Sequence, residues 1–179
     1  MEKVKGGMAP LEHASGWNTR FSLDGLVSYC GGGNEGPYGS YSLLFRNGAY
    51  EGVTTFPVIT KYSPGIVYGL PMESLIVDGI TRYFDTLGAL RSDVPISANV
   101  ALIGVRGVRM CSEDPNWPLY KTHITIDRDV LVLPDVLLEN GNDLTNSLRP
   151  VFDAMWQASG WSGSCGYDEQ GSWRADRHR

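Results

Sequence analysis

An Asn-Gly dipeptide between two β-rich runs is the feature that most narrows the folds open to this chain. In SYSLLFRNGAYEGVTTF, residues 40–56, the two runs are separated by Asn47 and Gly48. A tight turn between antiparallel strands needs positive φ at its central residues, and Asn and Gly adopt that conformation most readily. The stretch therefore predicts a β-hairpin, and with it a fold that contains antiparallel sheet.

The turn also predicts which side chains share a face of this hairpin. With a two-residue turn, Leu44 faces Glu51, and alternation along the strands defines one apolar, core-facing set. That set is Tyr41, Leu43, Phe45, Tyr50 and Thr54. Arg46 and Glu51 then lie diagonally across the strands on the other face, within reach of an ion pair. We interpret them as a solvated structural pair or, alternatively, as a binding site that includes Asn47.

Length and composition are those of a globular domain. The chain has 179 residues, of which 42% are hydrophobic and 20% charged, and a chain of this size can form one core. A formal net charge of −5 argues against broad non-specific binding to nucleic acid. No apolar run approaches the roughly 18 residues of a membrane span, and the first ten residues lack a signal-peptide core. Three widely spaced cysteines, an odd number, favour a reducing, cytoplasmic setting.

The order of apolar patterns predicts an α+β fold. We expect residues 1–19 to be a linker-like N-terminal segment, residues 20–173 to be a single α+β domain and residues 174–179 to be a polar tail. The domain should contain a mainly antiparallel sheet of about five strands with two helices packed on one face. The first strand is expected over Arg20–Tyr29, with Asp24-Gly25 as a bulge.

Both predicted helices carry an apolar stripe at helical spacing. The first is expected from Pro71 to about Leu87 and the second from about Ser147 to Gly160. The inward-facing residues of the second are Leu148, Val151, Phe152, Met155 and Trp156. On its outer face Arg149 and Asp153 are one turn apart and suit an ion pair, and Arg149 is also a candidate binding residue.

The sequence contains no recognised catalytic motif. It lacks a phosphate-binding loop with its Lys, H-E-x-x-H, G-x-S-x-G and C-x-x-C, so we assign no catalytic residue, metal ligand or cofactor. One alternative remains at the end of a strand predicted over Leu119–Asp129. There Asp127 and Asp129 share a side and could hold a divalent cation, as in an enzyme that processes nucleic acid or nucleotides. Another alternative is a small-molecule or nucleotide receptor with a pocket under the Gly-rich loop Cys30–Ser40.

Four stretches resemble a known family. RFSLDGLVSY, YSLLFRNGAYEGV, ITIDRDVLVLPDVLLE and LRPVFDAMWQASGWSGSCGYDEQGSW resemble the region C-terminal to the AlbA-type, Schlafen-like domain of bacterial DNA-binding or ATP-binding proteins. The resemblance extends from about Arg20 to Trp173. It implies that an N-terminal domain of a longer chain is the part that touches nucleic acid or nucleotide, so that this region does so only indirectly. It carries no catalytic residue onto this chain.

Motif content and resemblance together lead to one functional expectation. The chain is interpreted as a non-catalytic sensor, oligomerisation or accessory-binding domain of a Schlafen-like multidomain protein, with antiviral defence suggested by the resemblance alone. Its expected partners are the N-terminal domain of the same longer chain and, as an open alternative, further copies of itself. No membrane partner is expected.

Overall fold

The computed structural model describes residues 8–13, 16–31, 39–55, 65–90, 95–112 and 124–174. These residues form short strands and two helices in an α+β arrangement, which confirms the predicted fold class. The strands are β1 (Asn18–Phe21), β2 (Gly25–Cys30), β3 (Ser40–Phe45), β4 (Tyr50–Thr54), β5 (Ile66–Tyr68), β6 (Ile96–Ala98), β7 (Ala101–Ile103), β8 (Arg109–Cys111), β9 (Val130–Val132) and β10 (Val136–Leu138). The helices are α1 (Gly69–Ala89) and α2 (Leu144–Gln157).

The strands pair mainly in the antiparallel sense. β1 to β4 form a four-stranded sheet in chain order, and the remaining strands form two-stranded ladders: β6 with β10, β7 with β9 and β5 with β8. Only the β5–β8 ladder is parallel among the described strands. The strands are more numerous than predicted because several predicted runs are interrupted; Pro134, for example, lies between β9 and β10 and cannot donate to a ladder.

The chain divides into two compact units. Unit 1 comprises Met1–Phe56 with Asp78–Asp93, and unit 2 comprises Pro57–Val77 with Val94–Arg179. Of each unit, the structure describes the residues in the ranges given above. Helix α1 contributes its first part to unit 2 and its second part to unit 1. Neither helix of the described ranges combines the length and the apolar content that a bilayer crossing requires.

Unit 1 opens with a hairpin where a single strand was predicted. β1 and β2 pair with Phe21 opposite Leu26, and the chain reverses between them. The backbone N–H of Gly25 donates to Oγ of Ser22 at 3.2 Å, and Ser22 N–H donates to the Gly25 carbonyl at 2.8 Å. The Asp24-Gly25 pair predicted as a bulge is therefore part of a turn.

The Asn-Gly hairpin is present, but its predicted register was wrong by one residue. Leu44 pairs with Tyr50 and Leu43 with Glu51. The reason is a three-residue loop: Phe45 N–H donates to the Ala49 carbonyl at 2.8 Å, and Gly48 has φ 91°. Loops of this length end on a residue in the left-handed region, and Gly meets that need without steric cost.

The predicted core-facing set of the hairpin was also wrong, because the opposite face of β3 is the buried one. Leu44 and two serines of the strand are buried, whereas Tyr41, Leu43 and Phe45 are only half-buried. The buried face carries an unusual number of hydroxyls: Ser28, Ser40 and Ser42 are at most 1% exposed. Each is hydrogen-bonded, as when Ser28 donates to the Met8 carbonyl at 2.7 Å.

The N-terminal stretch of unit 1 packs on this face. Met8, in the segment predicted to be linker-like, is buried with Leu26 and Leu44, and Tyr83 of α1 packs against the three. Leu11 lies so close to Gly79 of α1 that a β-carbon there would approach its Cδ1 to 2.5 Å. Met8 is thus part of the core of unit 1, and Leu11 packs against α1.

Unit 2 is built around α2 and the first part of α1. Helix α2 begins at Leu144, earlier than predicted, because Leu144 is itself buried and adds a turn to the apolar stripe. Pro150 therefore lies inside the helix rather than in its first turn. The predicted stripe is confirmed, since all five of its members are buried: Leu148, Val151, Phe152, Met155 and Trp156. α1 likewise begins at Gly69, two residues before Pro71, and ends at Ala89.

Several predictions fall partly beyond the described residues, among them the N-terminal segment through residues 1–7 and 14–15 and the polar tail through residues 175–179. Residues 32–38 of the Gly-rich loop and residues 119–123 of the predicted strand Leu119–Asp129 lie outside the ranges that the structure covers. The rest of that strand, residues 124–129, is described and is irregular.

Candidate functional site

The three candidate residues of the hairpin each have a local structural partner. Nε of Arg46 donates to the Leu23 carbonyl at 2.9 Å, which ties the two hairpins of unit 1 together. Oδ1 of Asn47 accepts from the Ala49 N–H at 3.0 Å within the turn. Oε1 of Glu51 accepts from the Tyr41 hydroxyl at 2.6 Å.

The predicted Arg46–Glu51 ion pair was therefore wrong. The corrected register places Glu51 beside Leu43, and the two charged side chains bind different groups. Burial, together with the hydrogen bond and the charge of Glu51, raises the pKa of Tyr41 to about 12.

Arg149, the fourth candidate, forms the predicted pair with Asp153. Nε of Arg149 lies 3.7 Å from Oδ2 of Asp153, and its guanidinium lies 4.8 Å from the centre of the Tyr167 ring. Asp153 also accepts a hydrogen bond of 2.8 Å from the Ser164 N–H. Arg149 thus lies at the outer side of a polar cluster that was not predicted.

A buried carboxylate is the centre of that cluster, which we call the Glu73 cluster. Glu73 is 0% exposed. Its Oε1 accepts from Nε1 of Trp156 at 2.7 Å and from the Ser164 hydroxyl at 2.5 Å, and its Oε2 accepts from Nε1 of Trp173 at 2.8 Å. All three donors are neutral, and both carboxylate oxygens are engaged.

Three parts of unit 2 meet in the Glu73 cluster. Glu73 lies on α1, Trp156 on α2, and Ser164 and Trp173 follow α2 in the chain. Gly166 allows the close approach, since a β-carbon there would lie 2.3 Å from Oε2 of Glu73. The cluster fastens the segment after α2 to α1.

The electrostatics of Glu73 follow from this burial. Loss of hydration raises its pKa, while hydrogen bonds from Ser164, Trp173 and Trp156 lower it; the charge of Asp153 raises it again, and the net direction is upward. A carboxylate with its oxygens occupied by internal donors has little capacity left for substrate chemistry. The arrangement is that of a structural junction.

The two aspartates proposed as a cation site are paired with arginines. Oδ1 of Asp127 accepts from Nε of Arg128 at 2.9 Å, and Oδ1 of Asp129 lies 3.6 Å from Nε of Arg106. The hydrogen bond and charge of Arg128 lower the pKa of Asp127. Within the described ranges, no three His, Cys, Asp or Glu side chains come together as a metal site would require.

An exposed apolar surface lies beside these charges, on the ladder of β7 and β9. Leu102 and Leu131 pair on the buried side of the ladder, at 7% and 8% exposure. The opposite side consists of two aliphatic cross-strand pairs. Its members, which we call the aliphatic patch, are Ala101 with Val132 and Ile103 with Val130.

The patch is far more exposed than aliphatic side chains usually are. Ile103 is 76% exposed, Val132 71% and Val130 49%. On a sheet with one solvated face the outward positions are ordinarily polar. Contiguous exposed apolar surface, unlike single exposed apolar residues, is a common feature of interaction sites.

Four charged residues border one end of the patch. Val105 and Gly104, which follow β7, donate backbone hydrogen bonds to the Asp129 carbonyl and close that end of the ladder. Arg106 also donates to the Asp127 carbonyl. We call the four residues the charged rim: Arg106, Asp127, Arg128 and Asp129, whose side chains are between 60% and 78% exposed.

Sequence reasoning identified neither the Glu73 cluster nor the aliphatic patch. The patch had a signal in the run VLV, residues 130–132, because a two-sided apolar strand must either be covered on both faces or expose one. Glu73 had a weaker signal: the indole N–H groups of buried tryptophans need acceptors.

The chain was compared with protein-family models, with curated proteins and with solved structures. None of the three comparisons gave a match.

Proposed function

We propose that this chain acts by binding a protein partner, as an oligomerisation or accessory-binding domain, and that the aliphatic patch is its contact surface. The observation that carries the proposal is the double cross-strand pair of β7 and β9, in which Ile103 and Val132 are more than 70% exposed. Burying one such side chain in an interface contributes about 1.5–3 kcal/mol of favourable free energy. Four adjacent aliphatic residues therefore favour association over continued exposure.

The charged rim supports binding over metal-dependent catalysis. In an enzyme that uses Asp127 and Asp129 to hold a divalent cation, their carboxylates should be directed at a common point. Here each is next to a different guanidinium, that of Arg128 or that of Arg106. Mixed charges at the edge of an apolar surface are also found in protein interfaces, where the apolar core has a polar rim.

The wider setting in the proposal comes from the sequence. The resemblance to the region after the AlbA-type module suggests a Schlafen-like multidomain protein, in which this domain would serve assembly or sensing in antiviral defence. The wide spacing and odd number of the cysteines suggest the cytoplasm as its location.

Site-specific photo-crosslinking in bacterial cells that express the full chain tests this function. A photoreactive amino acid would replace Ile103 and, in a control, Leu23, which is 89% exposed in a turn of unit 1. We expect a discrete protein adduct from position 103 and none from position 23. Equal labelling at both positions, or no adduct at 103, would contradict a binding role for the patch.

A further inference from the structure

The composition of the aliphatic patch indicates the kind of surface that it fits. Ile103, Val130 and Val132 are β-branched and stand on a two-stranded antiparallel ladder. Side chains of this shape interdigitate with those of another sheet when two sheets pack face to face with nearly aligned strands. The patch contains no Trp, Tyr or Arg anchor of the sort that dominates many heterologous interfaces. Strongly apolar interface centres are most typical of homodimers.

The charged rim makes the same surface complementary to itself. Arg106 and Arg128 balance Asp127 and Asp129, so that the rim is neutral, whereas the whole chain carries a formal charge of −5. Two copies of an acidic chain repel each other where acidic surfaces meet. At the neutral rim this electrostatic repulsion is absent. In an interface with twofold symmetry, each arginine of one copy can face an aspartate of the other.

We propose that the partner bound by the aliphatic patch is a second copy of this chain. The two patches pack face to face with their strands aligned and the twofold axis along the strands, so that the two charged rims lie at the same end. This inference rests on the proposed binding function and specifies its partner. When the dimer forms, the exposed Arg–Asp ion pairs within each copy are replaced by Arg–Asp ion pairs between the two copies.

Sedimentation of the purified full chain, from about 1 to 500 µM, tests the dimer directly. We expect reversible association to twice the mass of the 19.6 kDa chain. Ile103→Asp combined with Val132→Asp should abolish it, because four carboxylates would then lie in the dimer interface. Leu137→Asp is the matched control: Leu137 is 66% exposed, but its cross-strand neighbour is the exposed Ser97, and the change should leave association unaltered. Circular dichroism and thermal melting would establish that every variant is folded.

A charge exchange tests the pairing of the rims. One variant combines Arg106→Glu with Arg128→Glu, and the other combines Asp127→Lys with Asp129→Lys. Each alone should associate at least about tenfold more weakly than the natural chain, and an equimolar mixture should recover association as a mixed dimer. Recovery should fade at high salt, where exposed charges are screened. If the Arg106 change prevents folding, the exchange is repeated with Arg128→Glu and Asp127→Lys alone, since both side chains are exposed.

The outcomes separate this inference from the function on which it rests. A chain that is monomeric throughout, a dimer that survives the Ile103 and Val132 changes, or rim variants that each associate as tightly as the natural chain would overturn it. If the chain is monomeric but position 103 still crosslinks to one different protein, the second-copy inference fails and the binding function stands. If position 103 crosslinks to nothing, both fail.

Discussion

Nε1 of Trp173 donates a hydrogen bond of 2.8 Å to Oε2 of Glu73, which precedes it by 100 residues in the chain. The other oxygen of the same carboxylate accepts from Nε1 of Trp156 at 2.7 Å. Each oxygen therefore faces an N–H group that can only donate. An amide of the same size has one acceptor and one donor end, so it cannot satisfy both indoles.

Glu73→Gln is expected to destabilise the protein by about 1–3 kcal/mol, because one buried indole N–H would oppose an amide N–H and lose its acceptor. Urea unfolding followed by circular dichroism at neutral pH would measure the change. Glu51→Gln is the matched control, since that carboxylate also accepts a hydrogen bond but is exposed. Equal losses in the free energy of unfolding for the two substitutions would mean that the buried hydrogen bonds of Glu73 stabilise the protein no more than an exposed one does.

The pH dependence of stability should also depend on Glu73. Its pKa is raised in the folded state, above all by burial, so the folded chain binds this proton more tightly than the unfolded chain does. The corresponding stability is fully present below the unfolded value of about 4.3 and is lost as the pH rises through the folded pKa. We therefore expect the stability difference between the natural chain and Glu73→Gln to shrink from pH 4 toward pH 7. Urea titrations of both proteins across this range would measure it, and a growing difference would reverse the sign assigned to the shift.

Gly48→Val should destabilise unit 1 by about 1–3 kcal/mol through backbone strain alone. The φ of Gly48 is 91°, and a β-carbon there would have no neighbour within 4 Å, so no steric contact contributes. Gly88→Ala provides a control of opposite sign. Gly88 lies near the end of α1 with open space around it and should gain about 0.4–1 kcal/mol in stability on substitution. Thermal melting of both variants would measure these two stability changes. An unchanged melting temperature for Gly48→Val would refute the positive φ of the loop.

Glu51→Gln should change stability by less than about 1 kcal/mol, as expected for an exposed polar contact. It should lower the pKa of Tyr41 from its value of about 12, because the negative charge of Glu51 is removed. Ultraviolet titration of the tyrosines would report this shift. A double-mutant cycle with Arg46→Ala should show no coupling between positions 46 and 51; substantial coupling would restore the ion pair that the hairpin register rules out.

The hairpin illustrates how far local sequence determines structure. Asn47-Gly48 was sufficient to predict a turn between two strands, and the turn is present. The dipeptide is compatible with both two-residue and three-residue loops, and only the backbone bond from Phe45 to Ala49 distinguishes them. Because side chains alternate, this single residue of loop length decided which residues of β4 share a face with Leu44.

Helix α2 was predicted well because its information is local. A stripe of five apolar residues at helical spacing has one way to be buried, and all five are buried. Glu73 is different, since its partners Trp156 and Trp173 are 83 and 100 residues away. Nothing near Glu73 in the sequence distinguishes it from a solvated helical glutamate. The aliphatic patch was missed for a similar reason, because β7 and β9 are distant in the sequence and their pairing depends on the tertiary structure.

The serines of unit 1 have a consequence for the chain as it is synthesised. Ser28 and Ser42 are paired across β2 and β3 on the face that α1 later helps to cover, and both are 0% exposed in the finished unit. Residues 78–93, which complete this unit, are translated only after the sheet has left the ribosome's active site. If valines occupied these positions, the uncovered sheet would expose a continuous hydrophobic surface to neighbouring nascent chains. Hydroxyls remain hydrated during that interval, so we expect this face to attract other nascent chains less than an aliphatic face would.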